Sequence, residues 1–303
     1  MEPSRILRSI TQDGSFMATA MDSTQLVCVA QEIHRTSPVA TAALGRLLTA
    51  SSLMGNLLKK PGASITLKIK GGGPLGVVVA VADSRGRCRG YVENPKVQAP
   101  LRPDGKLDVG GVVGNDGALC VIRDFGEGEP YTGQVALVSG EIGEDIAAYY
   151  ARSEQIPTVC GLGVLLDKAD GEVLLAGGFL LQALPGADDA ALARLEENVR
   201  RLDPVTTMLA KGMGIEDICR QALDGFAMEV LDTQETGYAC PCSKERVIRA
   251  VCSLPAKELR EMAEQDGKME ACCQYCGKTY VLTREELLDL AEKSGAKARG
   301  FVL

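Results

Sequence analysis

The hydrophobic pattern changes period several times along the chain, and each change marks an element. A short apolar segment runs from Ile6 to Ile10, and Asp22 and Ser23 then precede a helical repeat through Leu26, Val29 and Ile33. Ser37-Pro38 predicts the start of a second helix, whose apolar positions Ala43, Leu44, Leu47, Leu48, Met54, Leu57 and Leu58 make it a core helix. It should end at Lys59-Lys60-Pro61-Gly62, where cations are followed by helix breakers.

From Ala63 the period becomes two. Strands are expected at Ile65–Lys70, Val77–Asp83, Cys88–Glu93, Ala118–Phe125 and Gln134–Val138, with short Gly-, Pro-, Asn- and Asp-rich connections that favour hairpins and antiparallel sheets. A helix over Glu141–Ser153 and strands over Thr158–Leu166 and Glu172–Ala183 complete residues 1–185 as one α+β domain. Residues 186–239 read as a linker of short amphipathic helices. Ala187–Arg201 carries Leu192, Leu195, Val199 and Leu202 on one stripe, Asp203-Pro204 starts another helix, and Ile215–Leu223 forms a third. Each needs a docking surface to be stable, so this region should be the least stable part of the folded chain.

Residues 240–303 form the last expected unit. Ser243 caps a helix carrying Val247, Ile248 and Val251; a second covers Ala256–Glu264; Lys268–Ala271 and Thr279–Leu282 make a hairpin; and a Thr283–Glu286 capping box opens a helix stopping before Gly295. With few large apolar residues, a unit of this size commonly relies on a metal or a disulfide.

That reliance gives the cysteines their meaning. Cys240-Pro241-Cys242 and Cys273-Gln274-Tyr275-Cys276 are separated by the thirty residues Ser243–Cys272, so the chain can fold back and bring four thiolates to one tetrahedral Zn²⁺. Gly277 allows a turn with positive φ behind the second pair. Each pair can also close on itself as a local disulfide, so a permanent zinc knuckle and a redox switch both fit the spacing. Cys28, Cys88, Cys120, Cys160, Cys219 and Cys252 are scattered singly and read as small apolar residues, not as a secreted disulfide framework.

Charge narrows the partners. Residues 186–239 hold 5 Lys and Arg against 11 Asp and Glu, whereas residues 240–303 hold 11 against 10, so the cysteine-rich end lacks the basic footprint of a nucleic-acid binder. Aromatic residues are only 4%, leaving few platforms for stacked bases. No apolar run suits a membrane span, and Glu2, Arg5 and Arg8 lead into no secretory core, so the expected location is cytoplasmic.

Other candidate sites weaken on inspection. Gly71-Gly72-Gly73-Pro74-Leu75-Gly76 lies between two strands and lacks the Lys-Ser/Thr ending of a phosphate loop, so it reads as a sharp turn. His34 is the sole histidine, which leaves little for a nucleophilic triad, and Glu141, Glu144 and Asp145 are first-turn acids of a helix. After Cys276 the chain continues as a strand instead of a helix, unlike a thioredoxin-type site. No catalytic residue is expected.

Cys240-Pro241-Cys242-Ser243 with Cys273-Gln274-Tyr275-Cys276-Gly277 resembles the 33 kDa heat-shock protein family of redox-regulated holdase chaperones. So do Ser37-Pro38, Leu44-Gly45-Arg46-Leu47-Leu48, Gly73-Pro74-Leu75-Gly76, Arg89-Gly90-Tyr91-Val92, Arg152-Ser153-Glu154-Gln155-Ile156-Pro157 and Gly177-Gly178-Phe179-Leu180-Leu181-Gln182. The resemblance covers nearly the whole chain. It implies that Cys240, Cys242, Cys273 and Cys276 hold Zn²⁺ in a reduced, inactive protein, and that oxidants join Cys240 to Cys242 and Cys273 to Cys276. On loss of zinc, the C-terminal unit and linker would unfold and expose apolar surface. That surface would hold unfolding client proteins without ATP, in a form that dimerises, until release to ATP-dependent chaperones. Cys272, directly before Cys273, departs from the pattern and is a possible competing ligand or disulfide partner.

Overall fold

In the computed structural model, which describes residues 3–299, the segment around Ile6 is the first of two antiparallel strands, β1 (Ser4–Thr11) and β2 (Phe16–Asp22). Helix α1 (Thr24–His34) follows. The side chain of Asp22 accepts from the Thr24 N–H at 2.9 Å, which frees the Ser23 hydroxyl to meet Thr49 at 2.7 Å. Helix α2 (Pro38–Asn56) starts as predicted, with Pro38 in its first turn and Ser37 accepting from the Ala40 N–H.

Helix α2 is buried around its whole circumference from Val39 to Asn56, with Arg46 the exception. An apolar stripe would suffice for one neighbour; α2 has two, because a sheet lies on either side. Its buried hydroxyls are satisfied locally: Thr49 donates to the Gly45 carbonyl at 2.8 Å, Ser51 to that of Leu48 at 2.9 Å, and Thr41 to that of Ser37 at 2.9 Å.

The next elements are β3 (Ser64–Lys70), β4 (Val77–Asp83), β5 (Cys88–Val92), α3 (Val109–Val113), β6 (Ala118–Asp124) and β7 (Tyr131–Ala136). Their strands form one antiparallel sheet in the order β5-β4-β3-β6-β7. The Gly71–Gly76 segment is a turn between β3 and β4, pinned by Gly73 N–H to Val113 and Leu75 N–H to Val112, both at 3.0 Å. A Cβ on Gly73 would lie 2.3 Å from the Val112 carbonyl oxygen, so close backbone approach explains that glycine.

Helix α4 (Gly143–Tyr149) passes into a π-helical turn over Tyr150–Glu154, and the strands β8 (Thr158–Leu166) and β9 (Val173–Ala183) follow. Asp145 is fully buried and accepts backbone N–H bonds from Val138, Ser139 and Ile142 at 2.7, 3.2 and 3.0 Å. These bonds brace Ile142 at φ +73°, a costly conformation for a β-branched residue. Glu141 pairs with Arg46 and Arg102. The acids at 141 and 145 therefore organise the helix entrance.

Helices α5 (Asp189–Arg201), α6 (Val205–Ala210) and α7 (Ile215–Ala222) lead to strand β10 (Met228–Thr236). The second sheet is ordered β10-β1-β2-β9-β8, every pair antiparallel. Its two faces serve different cores. Ile6, Met21 and Leu180 face α2, while Leu7, Phe16, Ala18, Ala20, Phe179 and Leu181 pack with Leu195, Val205, Met208 and Ile218 of α5–α7.

Residues 186–239 thus fold against the body of residues 1–185, and the two compact units of the chain meet between Ala239 and Cys240. Leu195 is the only fully buried residue of α5. Strands β1, β2 and β10 go beyond the sequence expectation. Ala and Met dilute the β preference of β2, and β10 carries polar residues on both faces, so pairing with neighbours and not local propensity decides their conformation.

The second unit contains α8 (Lys244–Val251), α9 (Ala256–Gln265), β11 (Lys268–Cys272), β12 (Thr279–Thr283) and α10 (Arg284–Arg299). The capping box forms, with Thr283 N–H donating to Glu286 at 2.9 Å and Glu286 N–H to the Thr283 hydroxyl at 3.3 Å. Helix α10 runs through Gly295 instead of stopping before it; an interior glycine costs only about 1 kcal/mol, and Ala296, Lys297 and Ala298 favour continuation. Its core is small: Val251, Leu259, Ala263, Leu282, Leu287, Leu290 and Ala291. No helix among the described residues is long and apolar enough to cross a membrane.

The two-sided burial of α2 makes a direct prediction. Leu47→Ala, at 0% exposure, should lower stability by about 2–5 kcal/mol in urea unfolding, whereas Leu101→Ala, at 60% exposure, should stay within about 0.5 kcal/mol of the parent.

Candidate metal centre

Two local structures converge in the second unit. Cys240 and Cys242 lie just ahead of α8, which is started by the Ser243 hydroxyl accepting from the Arg246 N–H at 3.3 Å. Cys273 and Cys276 lie in the turn between β11 and β12. Cys273 N–H donates to the Lys278 carbonyl at 3.0 Å and Gly277 N–H to that of Cys273 at 2.8 Å, with Gly277 at φ +69°. The turn needs that positive φ, as the glycine behind the second pair suggests.

All four sulfurs lie within 4.8 Å of one another. Cys240 Sγ is 3.7 Å from Cys273 Sγ, and Cys242 Sγ is 3.3 Å from Cys276 Sγ. A disulfide requires about 2.05 Å, so these are separate thiols. A tetrahedral metal with bonds of about 2.3 Å to sulfur places its ligands about 3.8 Å apart, and the spacing fits that demand. The short edges run between the two cysteine pairs, so the cage ties the Cys-x-Cys segment to the hairpin.

The electrostatics favour a cation. Burial pushes the Cys240 thiol up to about 12, assisted by hydrogen bonding to its neighbours, and burial raises Cys276. Burial also opposes ionisation of Cys242, but the Tyr280 hydroxyl, donating to its sulfur at 3.1 Å, and the neighbouring thiols outweigh it and bring Cys242 down to about 7. Burial thus works against negative charge at Cys240, Cys242 and Cys276, and at Cys242 the hydrogen bonds overcome it. A soft divalent ion supplies the missing positive charge, and binding it displaces protons.

The other thiols lie outside the cluster. Burial pushes Cys88 and Cys219 up to about 12 and raises Cys28 and Cys160, so these are poor nucleophiles. Cys88 and Cys219 are fully buried, as expected for small apolar residues, while Cys28, Cys120, Cys160 and Cys252 are only partly so. Cys272 stands outside the cluster. It pairs with Thr279 across the hairpin, is exposed, and its thiol donates to the Gly277 carbonyl at 3.5 Å. His34 belongs to the first unit and meets the Tyr238 hydroxyl at 3.2 Å.

Tyr280 is the contributor that the cysteine spacing did not reveal. The alternation on β12, with Tyr280 and Leu282 buried and Thr279, Val281 and Thr283 exposed, is the signal that places it inward.

The family model described as Hsp33 protein matches residues 4–283. The 33 kDa chaperonin of Clostridioides difficile is 46% identical over 95% of this chain and 98% of its own length. The chain belongs to the Hsp33 family. Among other Hsp33 relatives, the 33 kDa chaperonin of Bacillus subtilis is 42% identical over 95% of this chain and 98% of its own. The crystal structure of the Thermotoga maritima 33 kDa chaperonin superposes with a TM-score of 0.90 at 35% identity, covering 97% of this chain and 100% of that one. The Hsp33 match takes in all four clustered cysteines and Tyr280, and ends at the last residue of β12.

Removing the Tyr280 hydroxyl has a signed consequence. A donor to the Cys242 sulfur favours the thiolate, so Tyr280→Phe should make the cluster, when loaded with a divalent metal, lose its thiolates at a higher pH on acidification. Thiolate ultraviolet absorbance against pH reads that shift; an unmoved midpoint would show that the hydrogen bond does not set the thiol's acidity.

Proposed function

We propose that this protein is a redox-regulated, ATP-independent holdase that binds unfolding proteins under oxidative stress and prevents their aggregation. The observation that carries the reading is the four-sulfur cluster, set in a unit whose apolar core cluster, among the described residues, has seven buried side chains. Membership of the Hsp33 family and relatives named 33 kDa chaperonin support the chaperone class. The protein acts by binding, not by turnover, and works in the cytoplasm.

In the resting form Cys240, Cys242, Cys273 and Cys276 hold one Zn²⁺ as thiolates. The ion supplies the positive charge that lets the crowded sulfurs stay deprotonated, and its binding contributes on the order of 10 kcal/mol to folding. Net stabilities of domains are about 5–15 kcal/mol, so the second unit depends on that contribution.

Oxidation removes the donors. For each bridge, two thiolates give two electrons to a peroxide, whose O–O bond breaks and which leaves as two waters after taking up two protons. Joining Cys240 to Cys242 and Cys273 to Cys276 consumes two peroxides and leaves no thiolate for the metal. The second unit then unfolds, and with it the linker that precedes Cys240. Helices α5–α7 lift from the sheet, uncovering Phe16, Ala18, Ala20, Phe179 and Leu181 together with the stripe Leu192, Leu195 and Val199. Clients bind these apolar faces, and the active form is a homodimer. Cys272 faces away from the cage, which supports Cys273 as the partner of Cys276.

Two measurements test this. Light scattering of a heat-unfolded enzyme should be unchanged by the reduced, zinc-loaded protein and strongly suppressed by the peroxide-treated protein; equal suppression by both would end the redox reading. Chelation under reductant should remove one zinc per chain and melt residues 240–293 while α2 and strands β1–β9 remain folded, as read by hydrogen exchange. A second unit that keeps its protection without metal would remove the staple from the account.

A further inference from the structure

The chain between Met228 and Ala239 covers an edge of each sheet in the first unit. Strand β10 pairs along the whole of β1, from Ser4 opposite Thr236 to Thr11 opposite Met228, and has no neighbour on its other side. The next three residues then pass to the other sheet. Cys88 N–H donates to the Gly237 carbonyl at 3.1 Å, Ala239 N–H donates to the Cys88 carbonyl at 2.9 Å, and Tyr238 lies parallel to β5, its hydroxyl donating to the Gly90 carbonyl at 3.1 Å. Without this strap, β1 and β5 would each present a row of unpaired N–H and C=O groups.

Side chains hold the strap in part: Met228 and Val230 pack on the core shared with α5–α7, Tyr238 packs on the other core, and Gln234 Nε2 donates to the Arg85 carbonyl at 3.1 Å. Residues Met228–Glu235 alternate between half-buried and exposed; only Thr236 is buried, and its hydroxyl oxygen has no hydrogen-bond partner. A register shift between Arg8 and Ser9 interrupts the pairing. Backbone pairing and charge supply the rest. Strand β1 carries Arg5 and Arg8 and no acid, whereas β10 carries Glu229, Asp232 and Glu235 and no base. Arg5 lies opposite Glu235 and Arg8 opposite Asp232, where the Arg8 Nε donates to the carboxylate at 3.0 Å.

We infer that, once the linker is released, the edges of β1 and β5 take an extended segment of unfolded polypeptide as a replacement strand. This rests on the holdase reading and names what part of a client is held: main chain in the β conformation, with acid-bearing segments favoured opposite Arg5 and Arg8. Strand β10 shows what the β1 edge accepts. Main-chain pairing tolerates almost any sequence, as a binder of many clients requires.

Hydrogen exchange on the full-length oxidised protein, with and without an unfolded client, tests the inference. Oxidation should expose Met228–Thr236 and those amides of Ser4–Thr11 that point toward β10. Client should restore protection to Ser4–Thr11 while Met228–Thr236 stays unprotected. Client held with β1 still exchanging freely, or held while Met228–Thr236 never loses protection, overturns the inference and leaves the holdase reading standing. Protection of β1 that returns without client and rises with protein concentration assigns the edge to a second copy, and also overturns it. Failure of the oxidised protein to hold any client falls on the holdase reading itself. An extended peptide with alternating Glu should protect β1 better than its Lys counterpart, and the reverse order would overturn the charge preference.

Discussion

Four sulfur atoms confined within 4.8 Å are the constraint on which the second unit rests. Their closeness is unfavourable unless something neutralises the thiolates or keeps them protonated, and burial of Cys240 and Cys276 already disfavours charge. The cage ties the Cys-x-Cys segment to the hairpin, and the apolar core around Leu282 is small among the described residues. Under the proposed function, the chemical state of the sulfurs and the fold of the unit are a single variable.

The first unit is built on the opposite principle. Helix α2 is enclosed by two sheets, its hydroxyls are satisfied locally, and Asp145 ties down the strained turn at Ile142 with three hydrogen bonds. Residues 186–239 lie between these extremes. Their helices attach through one sheet face, and β10 is an edge strand whose side chains are half-buried or exposed except Thr236. The chain thus grades from a body built on a doubly enclosed helix, through a strap at the sheet edges, to a unit that gathers four cysteines.

Much of this was legible in the sequence. The period change at Ala63, the Ser37-Pro38 start and the Thr283–Glu286 capping box are local signals, and local signals fix local structure. The cysteine spacing brought the right four sulfurs together because ligand geometry is short-ranged on both sides of a fold-back. What escaped is non-local. Nothing in Met228–Thr236 marks it as the partner of Ser4–Thr11, since polar residues occupy both of its faces. The second neighbour of α2 is likewise invisible in a periodicity that shows only that the helix is apolar. Tyr280 falls between the two, because alternation points it inward but does not say that a sulfur awaits it.

The pairing of β1 with β10 bears on how the protein is made. Strand β1 leaves the ribosome more than two hundred residues ahead of its partner β10. Throughout that interval the nascent chain carries an open edge and an apolar helix whose second sheet is unfinished, a topology that slows folding and exposes the chain to association. During its own synthesis this Hsp33 protein is in the condition of an aggregation-prone polypeptide awaiting help.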